Sequence, residues 1–123
     1  MDLSSNREER FVSKLIQDTK KGELEWKDES NNVLTLPSNE RPISKVYTTE
    51  IVGKNLRIYE FEIKHYSDEY EWDWVERIRL ELIDDDGATL FEFDYDYSIY
   101  KLFNAVRKLN SGIDDLMKEF LNE

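Results

Sequence analysis

The chain has 123 residues, no cysteine and a formal net charge of −11. That combination excludes a disulfide framework, a thiolate metal site and a cysteine nucleophile. The length predicts one domain, and an aromatic content of 13% supplies enough ring area to anchor a core despite a charged fraction of 37%.

The first predicted element is a helix from about Ser5 to Lys20. Phe11, Val12, Leu15, Ile16 and Thr19 recur at steps of three and four, which places them on one face. Ser5 and Glu8 have capping-box spacing, and Gly22 after Lys20 and Lys21 supplies a left-handed stop. Leu24 and Trp26 then alternate with charged residues, as in a short half-buried strand with Trp26 packed on the helix. Val33 to Leu36 reads as a second short strand ended by Pro37, and Ser38 to Pro42 as a loop, because the prolines lack a ladder donor.

Three longer strands follow. Lys45 to Val52 is β-branched and leads through Gly53-Lys54-Asn55 into Leu56 to Tyr66. In that second strand Tyr59, Phe61, Ile63 and His65 share one face while Leu56 and Ile58 fall on the other, so a bulge or a two-sided start is expected near Ile58. Tyr70 to Ile83 alternates with a period of two. Asp84-Asp85-Asp86-Gly87 is a turn, with Asp86 and Gly87 suited to positive φ. Phe91, Phe93, Tyr95 and Tyr97 then alternate with Glu92, Asp94 and Asp96 as a last strand. Helix resumes with Ser98 as its N-cap, and an apolar stripe from Ile99 to Phe120 is interrupted at Asn110-Ser111-Gly112, where Ser111 and Asp114 can cap a fresh start. The stripe is expected to cover the aromatic face of the last strand. The whole predicts an α+β two-layer sandwich, an antiparallel sheet of four to six strands with N- and C-terminal helices covering one face.

Three segments carry a resemblance. Phe11-Val12-Ser13-Lys14-Leu15-Ile16, the run from Thr19 to Trp26, and Ser111-Gly112-Ile113-Asp114-Asp115-Leu116 are similar to those of a loose group of small uncharacterised bacterial proteins. These share the layout of helix, tryptophan-containing strand, antiparallel sheet and C-terminal helices. The resemblance implies that layout and a bacterial or mobile-element origin, and it brings no activity and no binding residue with it.

Charge placement says more about function than any motif. Between Asp68 and Asp96 stand twelve acids against two bases, Arg77 and Arg79, so this window holds −10 of the −11. Nucleic-acid binding relies on Lys and Arg at phosphates, so a direct nucleic-acid partner is disfavoured and a basic protein partner favoured. No stretch approaches a membrane span, and the N-terminal residues lack the pattern of a secretory signal. The expected location is cytoplasmic. No cofactor motif is present.

Four groups of residues could bear chemistry. His65, the only histidine, would need Ser67 or Ser44 as nucleophile, and neither sits in a strained strand-to-helix turn. A calcium loop with Gly87 sixth would put Leu82 first and Phe93 twelfth, and neither can ligate. Glu92, Asp94 and Asp96, two residues apart, suit acid–base work or a divalent metal. The Asp-Gly turn is expected to bring Arg77 and Arg79 across from two of these acids, and such structural pairing is their favoured role. Finally, Asp68, Glu69, Tyr70 and Trp72, with Asp84, Asp85, Asp86 and Asp96, combine aromatic rings with carboxylates, the composition of a hot-spot surface for a basic protein. Trp72 and Trp74 equally share the parity of Leu80 and Leu82 and would then extend the core. The leading expectation is a non-enzymatic acidic module that binds a basic protein, as immunity proteins or nucleic-acid-mimicking inhibitors do. A carboxylate-based metal binder or enzyme, and a homodimer through the Ile99-to-Phe120 stripe, are the alternatives; the chain is expected to be a monomer or homodimer.

Overall fold

The structure is a computed structural model that describes residues 3–30 and 34–123, without the side chains of residues 3–6 and of Ser44. The fold is α+β. In chain order the elements are α1 (Leu3–Lys20), β1 (Lys27–Asp28), β2 (Glu40–Ile51), β3 (Lys54–Tyr66), β4 (Trp72–Ile83), β5 (Thr89–Glu92), α2 (Tyr97–Ser111) and α3 (Ile113–Leu121). The chain divides into a helical unit, Met1–Trp26 with Asp96–Glu123, and a sheet unit, Lys27–Tyr95.

In the helical unit α1 packs against α2. Val12, Leu15 and Thr19 of α1 are buried, as are Ile99, Leu102, Phe103, Ala105 and Val106 of α2. The backbone is already helical at Leu3, two residues before the expected start, and the Ser5 side chain of the capping box lies outside the described residues. The predicted stop holds: Gly22 adopts φ 74°, and its N–H reaches the Thr19 carbonyl while Glu23 N–H reaches Asp18. Trp26 is buried against α1 as expected, with Nε1 donating to Thr19 Oγ1 at 3.0 Å and its carbonyl accepting from Asn110 Nδ2 at 3.1 Å. It is not in a strand, however. β1 starts one residue later, because Trp26 is committed to the helices and only Lys27 and Asp28 reach Thr48 and Tyr47 of β2.

Gly112, at φ 77°, separates α2 from α3, and Ser111 Oγ accepts from Ile113 N–H. No residue of α3 is buried: Leu116, Met117, Phe120 and Leu121 are all exposed. The inward stripe therefore ends with α2. Phe91, Tyr95 and Tyr97 are exposed too, and Phe93 is half-buried.

The sheet unit is a five-stranded antiparallel meander, β1-β2-β3-β4-β5. β3 and β4 pair without interruption from Asn55↔Ile83 to Tyr66↔Trp72. No bulge occurs at Ile58, and the change of phase there marks a strand with both faces buried. Leu56 and Ile58 point one way and Tyr59 and Phe61 the other, all four buried. On the second face Val46, Tyr59 and Phe61 form a cluster onto which Leu34 and Leu36 pack. Leu34 to Leu36 is irregular chain and not the expected strand, and Val33 lies outside the described residues. Glu40 to Pro42, expected as loop, belongs to β2. Pro42 sits beside a register shift between Pro42 and Val46, where β1 does not run alongside, the edge-and-bulge setting that tolerates proline. The β2–β3 turn is also shifted: Ile51 pairs with Lys54, so Val52 and Gly53 are its centre, with φ of 51° and 76°.

Candidate functional site

One device recurs at the turns. In each of four aspartates, a carboxylate oxygen accepts the amide two residues on: Asp28 from Ser30 (2.9 Å), Asp68 from Tyr70 (2.7 Å), Asp84 from Asp86 (2.9 Å) and Asp96 from Ser98 (2.8 Å). Asp68 takes a second amide from Glu71 and Asp84 a second from Ala88, both at 2.8 Å. Short side chains that bond backbone in this way stabilise turns and helix starts. Asp96 thereby caps α2, the role expected of Ser98. Three acids of the predicted surface, Asp68, Asp84 and Asp96, thus shape the chain. Asp28 shows the electrostatic side of the device: hydrogen bonds from Ser30, then from Lys45 at 2.9 Å, lower its pKa to about 2.

The predicted surface residues are not brought into one patch. Asp68, Glu69, Tyr70 and Trp72 lie at the β3–β4 end of the sheet, and Asp84, Asp85 and Asp86 at the β4–β5 end. The strand between them has twelve residues, and at roughly 3.3 Å per residue the ends are on the order of 35 Å apart. Asp96 opens the helical unit.

At the β3–β4 end the aromatic side chains are displayed. Tyr70 is 85% exposed, Tyr66 54% and Trp72 40%, and Glu69, Glu71 and Asp73 between them are exposed as well. Trp72 and Trp74 meet edge to face at 5.4 Å. Lys64 Nζ lies 4.5 Å from the Trp72 ring and the Arg41 guanidinium 4.0 Å from that of Trp74. Arg41 is itself held by Glu62 at 2.8 Å. Trp72 therefore does not extend the core; it belongs to an exposed aromatic cluster with two cations against it. Sequence reasoning missed Lys64 and Arg41, whose only signal was their place one and two strands away on the face of the tryptophans, fixed by the pairs Lys64↔Trp74, Arg41↔Glu62 and Glu62↔Glu76.

Comparison with known proteins adds no relative. No family model, curated protein or solved structure matches this chain.

At the β4–β5 end a groove of about 670 Å³ is lined by Glu29, Asp84, Asp85 and Asp86 on its acidic side, with Arg57 in its wall. Arg57 donates to Glu81 at 2.7 Å and to the Gly87 carbonyl at 3.1 Å, and Thr89 Oγ1 donates to the other Glu81 oxygen at 2.8 Å. Glu81 is only 2% exposed. The cost of burying a carboxylate this deep is offset because each oxygen accepts a hydrogen bond and one donor is a guanidinium. Asn55 Nδ2 donates to Asp85 at 3.4 Å, and Asp86 projects into solvent. Of the two turn residues expected at positive φ only Gly87 has it.

The carboxylate triplet is not assembled on a strand. β5 stops at Glu92, whose carboxylate pairs with Arg79 at 3.1 Å, as anticipated for that residue. Asp94 follows the strand and Asp96 caps α2. Arg77 instead turns to the carbonyl of Glu76. Arg79 also makes two bonds to Glu40, at 3.0 and 3.1 Å, and one to the Tyr59 hydroxyl at 2.9 Å. Burial alone would lower its pKa, but the Glu40 carboxylate and the Tyr59 oxygen overcome this and raise it. The phenol of Tyr59 is raised by burial. His65 is exposed at the end of β3, the Ser67 hydroxyl donates to the Glu71 carbonyl, and Ser44 lies outside the described side chains. Among the described residues no helix is long and apolar enough to cross a membrane.

Proposed function

We propose that this protein is a non-enzymatic acidic binding module whose contact surface for a basic protein is the β3–β4 end, with Tyr70 and Trp72 as anchors. The supporting observation is the exposure of Tyr70 and Trp72 among exposed acids on a turn that Asp68 has already tied down. Aromatic anchors on rigid elements lose little conformational freedom on binding, which is why Tyr and Trp dominate interface hot spots. The sheet unit also carries seventeen acids against eight bases, a net −9, so a basic partner is steered toward it. Asp85 and Asp86, at the far end of β4, contribute to that field without touching the partner. Partners of this chemistry are proteins with a basic, nucleic-acid-binding face, and an immunity or mimicry role follows from that reading.

The test is capture of basic proteins at low salt, followed by titration of the captured partner against variants. Tyr70→Ala and Trp72→Ala should each weaken binding by at least about tenfold, the loss of roughly 1.4 kcal/mol. Affinity should fall as ionic strength passes about 0.15 M. A partner indifferent to both substitutions and to salt would refute the proposal.

A further inference from the structure

The outer edge of β4 is open over most of its length. On one side β3 pairs with every residue from Trp72 to Ile83, whereas β5 pairs only with Glu81 to Ile83. One more bond, from Phe93 N–H to the Leu80 carbonyl at 2.9 Å, ends the outer ladder. Below Leu80 no strand lies beside β4 among the described residues. Backbone polar groups alternate sides along a strand, so the Leu80 carbonyl fixes the direction of the rest. The amides and carbonyls of Ile78, Glu76 and Trp74 point to the open edge, and those of Arg77, Val75 and Asp73 point to β3.

An open edge is a template for another strand, and proteins usually blunt it with charge or a bulge. Here the charges are arranged differently. Asp73 and Arg77 are both exposed, stand on the same face and are placed symmetrically about Val75. Among the described residues Arg77 has no carboxylate partner; its hydrogen bond goes to the Glu76 carbonyl.

We infer that the open edge of β4 pairs antiparallel with β4 of a second copy, Val75 opposite Val75, to form a two-fold dimer with a continuous ten-stranded sheet. In this register Asp73 of each copy faces Arg77 of the other, so the contact is self-complementary twice over, as a two-fold interface must be. The outward amides and carbonyls of Trp74 and Glu76 meet as hydrogen-bonded pairs across the axis. On the other face Trp72 lies opposite Ile78. A shift by one residue pair toward the β4–β5 end would set Glu76 against Glu76, so charge selects the Val75-centred register.

The experiment is sedimentation or light scattering of the full chain as a function of concentration, with four proteins beside the native one. The native chain should approach twice its monomer mass as concentration rises. Arg77→Asp and Asp73→Arg each turn two attractive pairs into repulsive ones and should raise the dimer dissociation constant by about tenfold or more. The exchange Asp73→Arg with Arg77→Asp restores opposite charges and should return the constant to near its native value. Glu76→Pro removes an amide that points to the open edge and none that bonds β3, so it should abolish the dimer while the melting temperature of the monomer is retained. A native chain that stays monomeric at millimolar concentration would overturn the inference. A dimer that ignores both the charge exchange and Glu76→Pro would do so too.

Discussion

The two ends of β4 are built from the same kind of turn and present opposite surfaces. At the β4–β5 end Asp84 binds two amides of its own loop, and behind it Arg57, Glu81 and Thr89 form a closed polar network that grips the turn through the Gly87 carbonyl. At the β3–β4 end Asp68 binds two amides in the same way, but nothing equivalent stands behind it. Its neighbours are exposed rings with Lys64 and Arg41 against the two tryptophans. One end therefore uses its charge for structure and the other leaves its aromatic area to solvent. Where acids are concentrated in a sequence, their number alone does not distinguish carboxylates that build a turn from those that meet a partner.

The sharpest way to break this comparison is to remove the network. Glu81→Ala leaves the Arg57 guanidinium partly buried without its carboxylate, and a loss of about 3–5 kcal/mol is expected in urea unfolding. No single side chain at the β3–β4 end should approach that value. Asp68→Ala and Asp84→Ala test whether the two turns are equivalent. Each loses two backbone bonds to a carboxylate, and each should cost about 1–2 kcal/mol, measured in the same way.

A gain is expected beside the β4–β5 end. Val52, 93% exposed, holds φ at 51°, a conformation that a β-branched side chain resists. Val52→Asn keeps the turn with a residue suited to it and should raise stability by about 0.5–1 kcal/mol, visible as a higher melting temperature. Trp72→Ala should change stability by less than about 1 kcal/mol, because the ring is 40% exposed and lies outside the buried core, in contrast to its proposed effect on binding. The smallest effect concerns acid. The folded-state pKa of Asp28 is lowered to about 2 by Ser30 and Lys45. Its stabilising contribution is therefore complete above the unfolded carboxylate value of about 3.9 and lost as pH falls through about 2. The melting temperatures of the native protein and Asp28→Asn should converge over that interval and stay apart above it.

Much of the fold was legible because short-range chemistry wrote it. The period of β4, the helical face of Val12, Leu15 and Thr19, the stop at Gly22 and the break at Gly112 all follow from spacing and from what glycine permits. The Arg79–Glu92 ion pair was legible from the Asp-Gly turn, although Glu92 stands directly across from Glu81. What failed was wherever long-range pairing overrode local pattern. Phe93, Tyr95 and Tyr97 alternate as a strand does, yet β5 ends at Glu92 and Asp96 caps a helix. Leu34 and Leu36 alternate as well but pack as irregular chain on Val46, Tyr59 and Phe61.

The sequence by itself determined the class of this protein: its charge, its α+β order of elements, its lack of cysteine chemistry and the positions of its main turns. These depend on residue type and on neighbours three or four positions away. Only the tertiary structure decided which acids are bound and which displayed. Glu81 and Glu76 are both acids of β4, but Arg57 reaches from β3 to bury one, while the other stays exposed at the strand's open edge. Exposure and pairing are properties of what lies across the sheet, and a one-dimensional pattern does not carry them.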